Sequence, residues 1–264
     1  MEKQNWLAEN LKIANQDDPK KPIFMFFHPQ FQNTVYGSAV LWRTANMTRI
    51  TMNYPQVIDF GGHSHASVND PRTVHQNHFT CFGTGSIVGV SICNADRLPL
   101  QPTQRAYGKS QFLIVEADKD ARVRTIPFDG VSGTPFNEGF IIDKPYDPDS
   151  FIFTDDRYQM AQKPIFPKDA KLECEYNDAK LTVKVSQAID NGERVPGYYF
   201  TVKNKDGLVV KRFGISSGYY MKNMPEFENY TVDFEKENGE YIVECYAQSY
   251  FDKKSEKLIA KFKV

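Results

Sequence analysis

From Leu172 onward the chain is written in twos. Leu172, Cys174 and Tyr176 alternate with charged residues, and Leu181, Val183 and Val185 keep the same spacing. The period returns in residues 199–202, 230–234, 241–246 and 258–264. Successive side chains of a strand point to opposite faces, so this alternation marks strands with one buried and one wet face. Asn177-Asp178, Asp206-Gly207 and Asn238-Gly239 punctuate the runs as hairpin turns do. About seven short strands in roughly 100 residues bury such faces by folding into two facing sheets.

The first part has a different grammar. Residues 3–15 are spaced as an amphipathic helix with Trp6, Leu7, Leu11 and Ala14 on one face, and Asp17-Asp18-Pro19 ends it. Pro22-Ile23-Phe24-Met25-Phe26-Phe27 is an unbroken apolar run, the pattern of a strand buried on both faces, and His28-Pro29 follows it. A second helix is expected over 38–47 with Val40, Leu41 and Trp42, and strands over 57–60, 78–82, 111–116 and 122–127. Residues 129–167 are irregular, rich in Gly, Pro and Asp. The expected domains are therefore 1–163, an α/β layer structure, and 164–264, a β-sandwich of immunoglobulin or fibronectin type III kind. No internal repeat or low-complexity tract is evident.

Charge excludes some functions. The 264 residues hold 32 basic and 33 acidic side chains. Divided at 164, the first part carries 16 basic and 17 acidic, the second 16 and 16. A strongly basic nucleic-acid binder is excluded, and neither part shows an electrostatic patch at this level. No apolar stretch is long enough for a membrane span, and the first residues lack the form of a secretory signal. Cys81, Cys93, Cys174 and Cys245 have no metal-binding spacing; they pair if the protein is exported and stay buried thiols if not.

All five histidines, His28, His63, His65, His75 and His78, lie between positions 28 and 78. His28 and the Gly61-Gly62-His63-Ser64-His65 run each follow an apolar strand, where ligands gather in open α/β sheets. Imidazole is the commonest metal ligand, but a lone GHxH is equally a capped turn or a solvated loop. His75 and His78 read as surface or core polar residues.

Six segments in order resemble the C-terminal half of a calcineurin-like metallophosphoesterase. They are Trp6-Leu7-Ala8-Glu9-Asn10-Leu11; Pro22 through His28; Asn33-Thr34-Val35-Tyr36-Gly37-Ser38; Gly62-His63-Ser64-His65; Asn69-Asp70-Pro71-Arg72; and Phe79 through Ser86. Together they cover about residues 1–128. The resemblance implies part of a layered αββα sandwich, and His28, His63 and His65 as ligands of a dinuclear centre of Zn, Mn or Fe. One departure is that Pro29 follows His28 at once, whereas the family places its proline two positions after the histidine; Gln30 stands there. Asn33, Tyr36, Asn69 and Arg72 would line the pocket, with Arg72 holding a phosphate; the alternative is that Asn69-Asp70-Pro71 is turn chemistry.

The implied reaction is hydrolysis of a phosphate mono- or diester, a small-molecule, lipid or nucleotide ester, by two metals. The family's DxH, GDxxD and GNH[DE] motifs are absent before His28, and Asp17-Asp18 lie at the far end of a strand. The chain is thus expected to be a fragment lacking turnover, with an apolar sheet face uncovered and the missing N-terminal half as a partner. The competing reading is a non-catalytic binding protein whose sandwich recognises a glycan or a protein. Tyr198, Tyr199, Tyr219, Tyr220 and Tyr250 would form that surface, or else be partly buried sheet residues. The compartment stays open.

Overall fold

The computed structural model describes residues 2–38, 42–92, 104–190 and 193–264. Val40, Leu41 and Cys93 lie outside the described residues. Those described divide into two compact units, one ending at Gln159 and the other running from Met160 to Val264.

The first unit contains α1 (Glu2–Asp17), β1 (Ile23–Phe26), α2 (Ala45–Thr51), β2 (Val57–Gly61), β3 (Val74–Gln76), β4 (Thr80–Gly83), β5 (Gly89–Ile92), β6 (Gln104–Tyr107), β7 (Gln111–Ala117), β8 (Val123–Asp129), β9 (Thr134–Pro135) and β10 (Phe140–Ile142). A short helix, α3 (Arg157–Met160), lies at the junction of the units. One sheet has the order β1-β2-β4-β3, with β1, β2 and β4 parallel and β3 antiparallel at the far edge. A second, antiparallel sheet has the order β10-β8-β7, and β5 pairs with β6.

The period of two in β2 sorts residues into two cores. Val57 joins Leu7, Leu11, Phe31, Phe79 and Cys81 beneath the helices, with Met47 and Ile50 of α2 at the margin. Ile58 and Phe60 join Phe82, Val123 and Ile142 against the second sheet. The layers are helix, mixed sheet, antiparallel sheet. This corrects the expectation of an αββα sandwich: the described residues build three layers here, and the chain as a whole is mostly β.

Two local expectations also change. The apolar run at β1 is not buried on both faces, because β1 is an edge strand: Phe24 is 40% and Phe26 79% exposed. In α1 only Leu7 and Leu11 are buried, while Trp6 is 65% exposed.

The second unit is all antiparallel: β11 (Leu172–Asn177), β12 (Lys180–Ser186), β13 (Ile189–Asp190), β14 (Glu193–Arg194), β15 (Gly197–Asn204), β16 (Val209–Ser216), β17 (Phe227–Asp233), β18 (Glu240–Gln248) and β19 (Leu258–Lys263). A three-stranded sheet, β11-β12-β17, faces a four-stranded one, β16-β15-β18-β19. Leu181, Val183 and Val185 from the first meet Phe200, Val202, Val243, Cys245 and Phe262 from the second in one buried cluster. This is an immunoglobulin/fibronectin III-like sandwich, shown by its own strand order. Asp178 and Ala179 both have positive φ, 50° and 58°, as a two-residue hairpin turn between β11 and β12 requires.

Candidate functional site

The loops after β1 and β2 bring His28 and His63 together. The backbone N–H groups of Gly62 and His63 both donate to the His28 carbonyl, at 3.1 and 3.0 Å. The rings then meet edge to face, with His63 Nδ1 3.1 Å from His28 Nε2. One ring must donate and the other accept. Burial, helped by the neighbouring His28 and His65, lowers the His63 pKa. Trp42 packs against His63 at 4.5 Å between ring centroids.

His65 is held differently. Its φ of 54° is unusual for a residue with a side chain. Its N–H donates to the Gly62 carbonyl, its carbonyl accepts from Ser91, and its Nδ1 lies 3.2 Å from the Gly89 carbonyl. Gly37, at φ 86°, brings the 33–38 segment against Ser64, where a Cβ would stand 2.5 Å from the Ser64 Cβ. Gln30 Nε2 donates to Ser64 Oγ and to the Gly61 carbonyl.

Behind this loop Asp70 and Arg72 are buried, with the half-buried Tyr36 against them. Asp70 caps a short 3₁₀ turn by accepting the Arg72 N–H at 2.9 Å, and Arg72 forks back onto its carboxylate at 3.0 and 2.6 Å. The Tyr36 ring lies 3.7 Å from the guanidinium carbon. Burial works against the Arg72 charge, but Asp70 outweighs it and holds the pKa above its ordinary value. With Arg72 only 3% exposed, this grip is internal, and the turn reading describes the segment. Asn69 Oδ1 accepts from Asn137, and Asn33 is exposed with φ 56°. His75 is buried with its Nε2 3.4 Å from Asp155, while His78 is exposed.

Sequence reading missed Asp59, the one acid inside β2. It is 1% exposed and lies opposite Cys81 in the strand register, and Asp59 Oδ1 has no hydrogen-bond partner. Burial pushes its pKa well up, against a hydrogen bond from the Phe60 backbone that lowers it. An acid in the run Val57-Ile58-Asp59-Phe60 was the available signal.

In the second unit most of the nominated tyrosines are core. Tyr198, Tyr219 and Tyr250 are buried, and the Tyr198 hydroxyl donates to Gln187 while accepting from the Ala188 N–H. Tyr199 and Tyr220 are half-buried. The outer face of the four-stranded sheet offers another set. Tyr199 and Tyr246 are cross-strand partners with nearly parallel rings, 5.3 Å between centroids. Tyr199 lies against Gly214, and Lys254 sits 4.9 Å over the Tyr246 ring. In the next row Arg212, Thr201, Glu244 and Ile259 lie side by side. Lys203 and Lys257 both bind Glu244, which lowers its pKa. Tyr246 and Arg212 escaped notice because strand register is not written in sequence.

No protein-family model matches the chain, and no curated protein matches it. Solved structures similar to it include domains d3–d4 of the rat CD45 extracellular region, at 16% identity over 39% of this chain and 51% of that one, TM-score 0.29. The chicken interferon gamma receptor alpha chain matches at 12% identity over 54% of this chain and 65% of that one, TM-score 0.30. Chicken CNTN1 domains FN1–FN3 match at 9% over 64% and 47%, TM-score 0.29. The chain thus spans less than two thirds of each of these structures.

The metallophosphoesterase reading is corrected. Among the described residues no three His, Cys, Asp or Glu side chains come together to hold a metal ion. His28 and His63 pair with one another, His65 turns to the Gly89 carbonyl, and no carboxylate joins them, so these residues do not fit a dinuclear centre. Among the described residues no helix is long and apolar enough to cross a membrane.

Proposed function

We propose that the chain is a non-catalytic binding protein whose sandwich recognises a protein partner through the outer face of the β16-β15-β18-β19 sheet. The observation that carries this is the half-buried Tyr199–Tyr246 pair, set between Gly214 and Lys254 on the face of the sheet away from the sandwich core. Tyrosine and arginine supply much of the contact energy at protein interfaces, and Arg212 stands one row away on the same face. A sugar would stack on a broad ring face. Here the two rings face each other and Lys254 covers Tyr246, which favours a protein over a glycan.

The test is selection of binders from a displayed library of folded protein domains against the whole chain, with the Tyr246→Ala variant as counter-screen and a glycan array in parallel. Domains that bind the native chain and lose at least about tenfold in affinity for the variant, as a hot-spot tyrosine implies, support the reading. Glycan binding lost with Tyr246 would replace protein by glycan. Turnover of a chromogenic phosphate ester by the purified chain would overturn the non-catalytic assignment.

A further inference from the structure

Among the described residues, the β1-β2-β4-β3 sheet stops at β1, and no strand pairs with its second edge. The N–H groups of Ile23 and Phe27 donate toward the β2 side, to Gln56 and Phe60. Strand backbones alternate, so Phe24 and Phe26 aim their N–H and C=O groups away from the sheet. Residues 23–27 contain no charge and no proline, and the β1–β2 register is unbroken, so neither charge, proline nor a bulge blunts this four-residue edge strand.

The side chains are as unprotected as the backbone. Phe26 stacks on Phe60 at 5.4 Å and Phe60 on Phe82 at 5.5 Å, so the core between the sheets runs out to Phe26, which is 79% exposed. On the other face Trp6, Leu7, Met25, Phe27 and Met47 line a hollow of about 500 Å³, with Glu2 and Lys3 at its wall. Both cores therefore reach the surface along one line, and β1 itself, a strand apolar on both faces, has the chemistry to occupy it.

We propose that the occupant is β1 of a second copy, paired antiparallel about a two-fold axis normal to the sheet, with Met25 opposite Met25 and Phe24 opposite Phe26. In this register Phe24 and Phe26 of both copies exchange their outward backbone bonds, and the Met25 pair falls between them. A two-fold axis normal to the sheet returns each face to the same side, so the phenylalanine edge meets its own copy and the Trp6 hollow meets its own. Charge agrees: Lys21 lies opposite Pro29 and His28 opposite Pro22, and the two Lys21 residues stand roughly 25 Å apart, well beyond screening distance. The dimer joins two four-stranded sheets into one of eight.

Sedimentation equilibrium of the whole chain tests this. A dimer is expected at micromolar concentration, and Phe26→Lys is expected to give a monomer with unchanged circular dichroism, since this side chain is 79% exposed in the protomer. Met25→Cys is expected to form an intermolecular disulfide under mild oxidation, because a non-hydrogen-bonded pair places the Cα atoms about 4.5 Å apart. A native chain that stays monomeric, a dimer that survives Phe26→Lys, open-ended aggregates, or a Met25→Cys dimer that does not cross-link would each overturn the proposal.

Discussion

The two units end their sheets in opposite ways. In the sandwich every outermost strand carries charge: Glu173 and Glu175 on β11, Glu228 and Asp233 on β17, Lys211 and Arg212 on β16, Lys261 and Lys263 on β19. Those charges make strand addition costly, even though Ile259, Tyr230 and Val209 on the same strands are exposed. In the first unit β1 carries no charge, Phe24 and Phe26 are exposed, and among the described residues no strand pairs with its outer edge. An antiparallel strand can keep one wet face, whereas a parallel sheet packs on both faces and has only its edge left for solvent. The open edge is thus a property of the sheet type as well as of the residues.

Removing packing from the closed unit should have the largest effect. Phe200→Ala is expected to cost about 3–5 kcal/mol, because the ring is 1% exposed within the sandwich core. Both tryptophans, Trp6 and Trp42, belong to the first unit, so urea unfolding followed by fluorescence should be unchanged while circular dichroism shows early loss of the sandwich. Fluorescence and circular dichroism shifting together would break the comparison.

Arg72→Met is expected to destabilise the first unit by about 3–5 kcal/mol, since it strands the Asp70 carboxylate in the interior. The double variant with Asp70→Asn should recover part of that loss in the same urea titration.

Asp59 sharpens the contrast through pH. Burial favours the protonated form of its carboxyl in the fold, while the unfolded chain releases the proton above the ordinary value of 3.8. The associated stability is complete below that value and is lost as pH rises toward the raised one. Asp59→Asn should flatten this dependence, raising the melting temperature by about 2–4 °C at pH 8 per kcal/mol recovered, with little change at pH 4. A variant melting curve parallel to the native one at both pH values would refute the assignment.

Phe26→Ala should have the smallest effect on the folded protomer, within about 0.5 kcal/mol, as expected for an exposed side chain. Under dilute conditions, a loss comparable to that of Phe200→Ala would show that the edge is part of a core.

The sandwich was legible because alternation and turn pairs are local. β11, β12, β15, β17, β18 and β19 were each visible as a period of two. β16 was not, since Leu208-Val209-Val210 precedes Lys211-Arg212 and the pattern breaks, in keeping with the irregular register at Val202 and Lys203. In the first unit β2 was readable, but the exposure of β1 was not: an apolar run looks the same whether or not a neighbour covers it. The Tyr199–Tyr246 pair depends on register, and the role of Arg72 on which carboxylate it reaches. Both are facts of three dimensions. The even charge count of the second part likewise gave no hint of how Lys203 and Lys257 gather on Glu244.

Arg157, close to the last residue of the first unit, donates to the carbonyls of Pro71 and Val74 at 2.8 and 2.7 Å, and Gln76 holds the backbone of Ile152 and Phe153. Burial lowers the Arg157 pKa to about 10, so the guanidinium remains charged at neutral pH and its bonds are of the stronger, charge-assisted kind. The clasp ties the end of this unit to Pro71, beside the 3₁₀ turn, and to Val74 and Gln76 of the edge strand β3, so the last residues of the unit add their bonds to a strand that, among the described residues, pairs on one side alone.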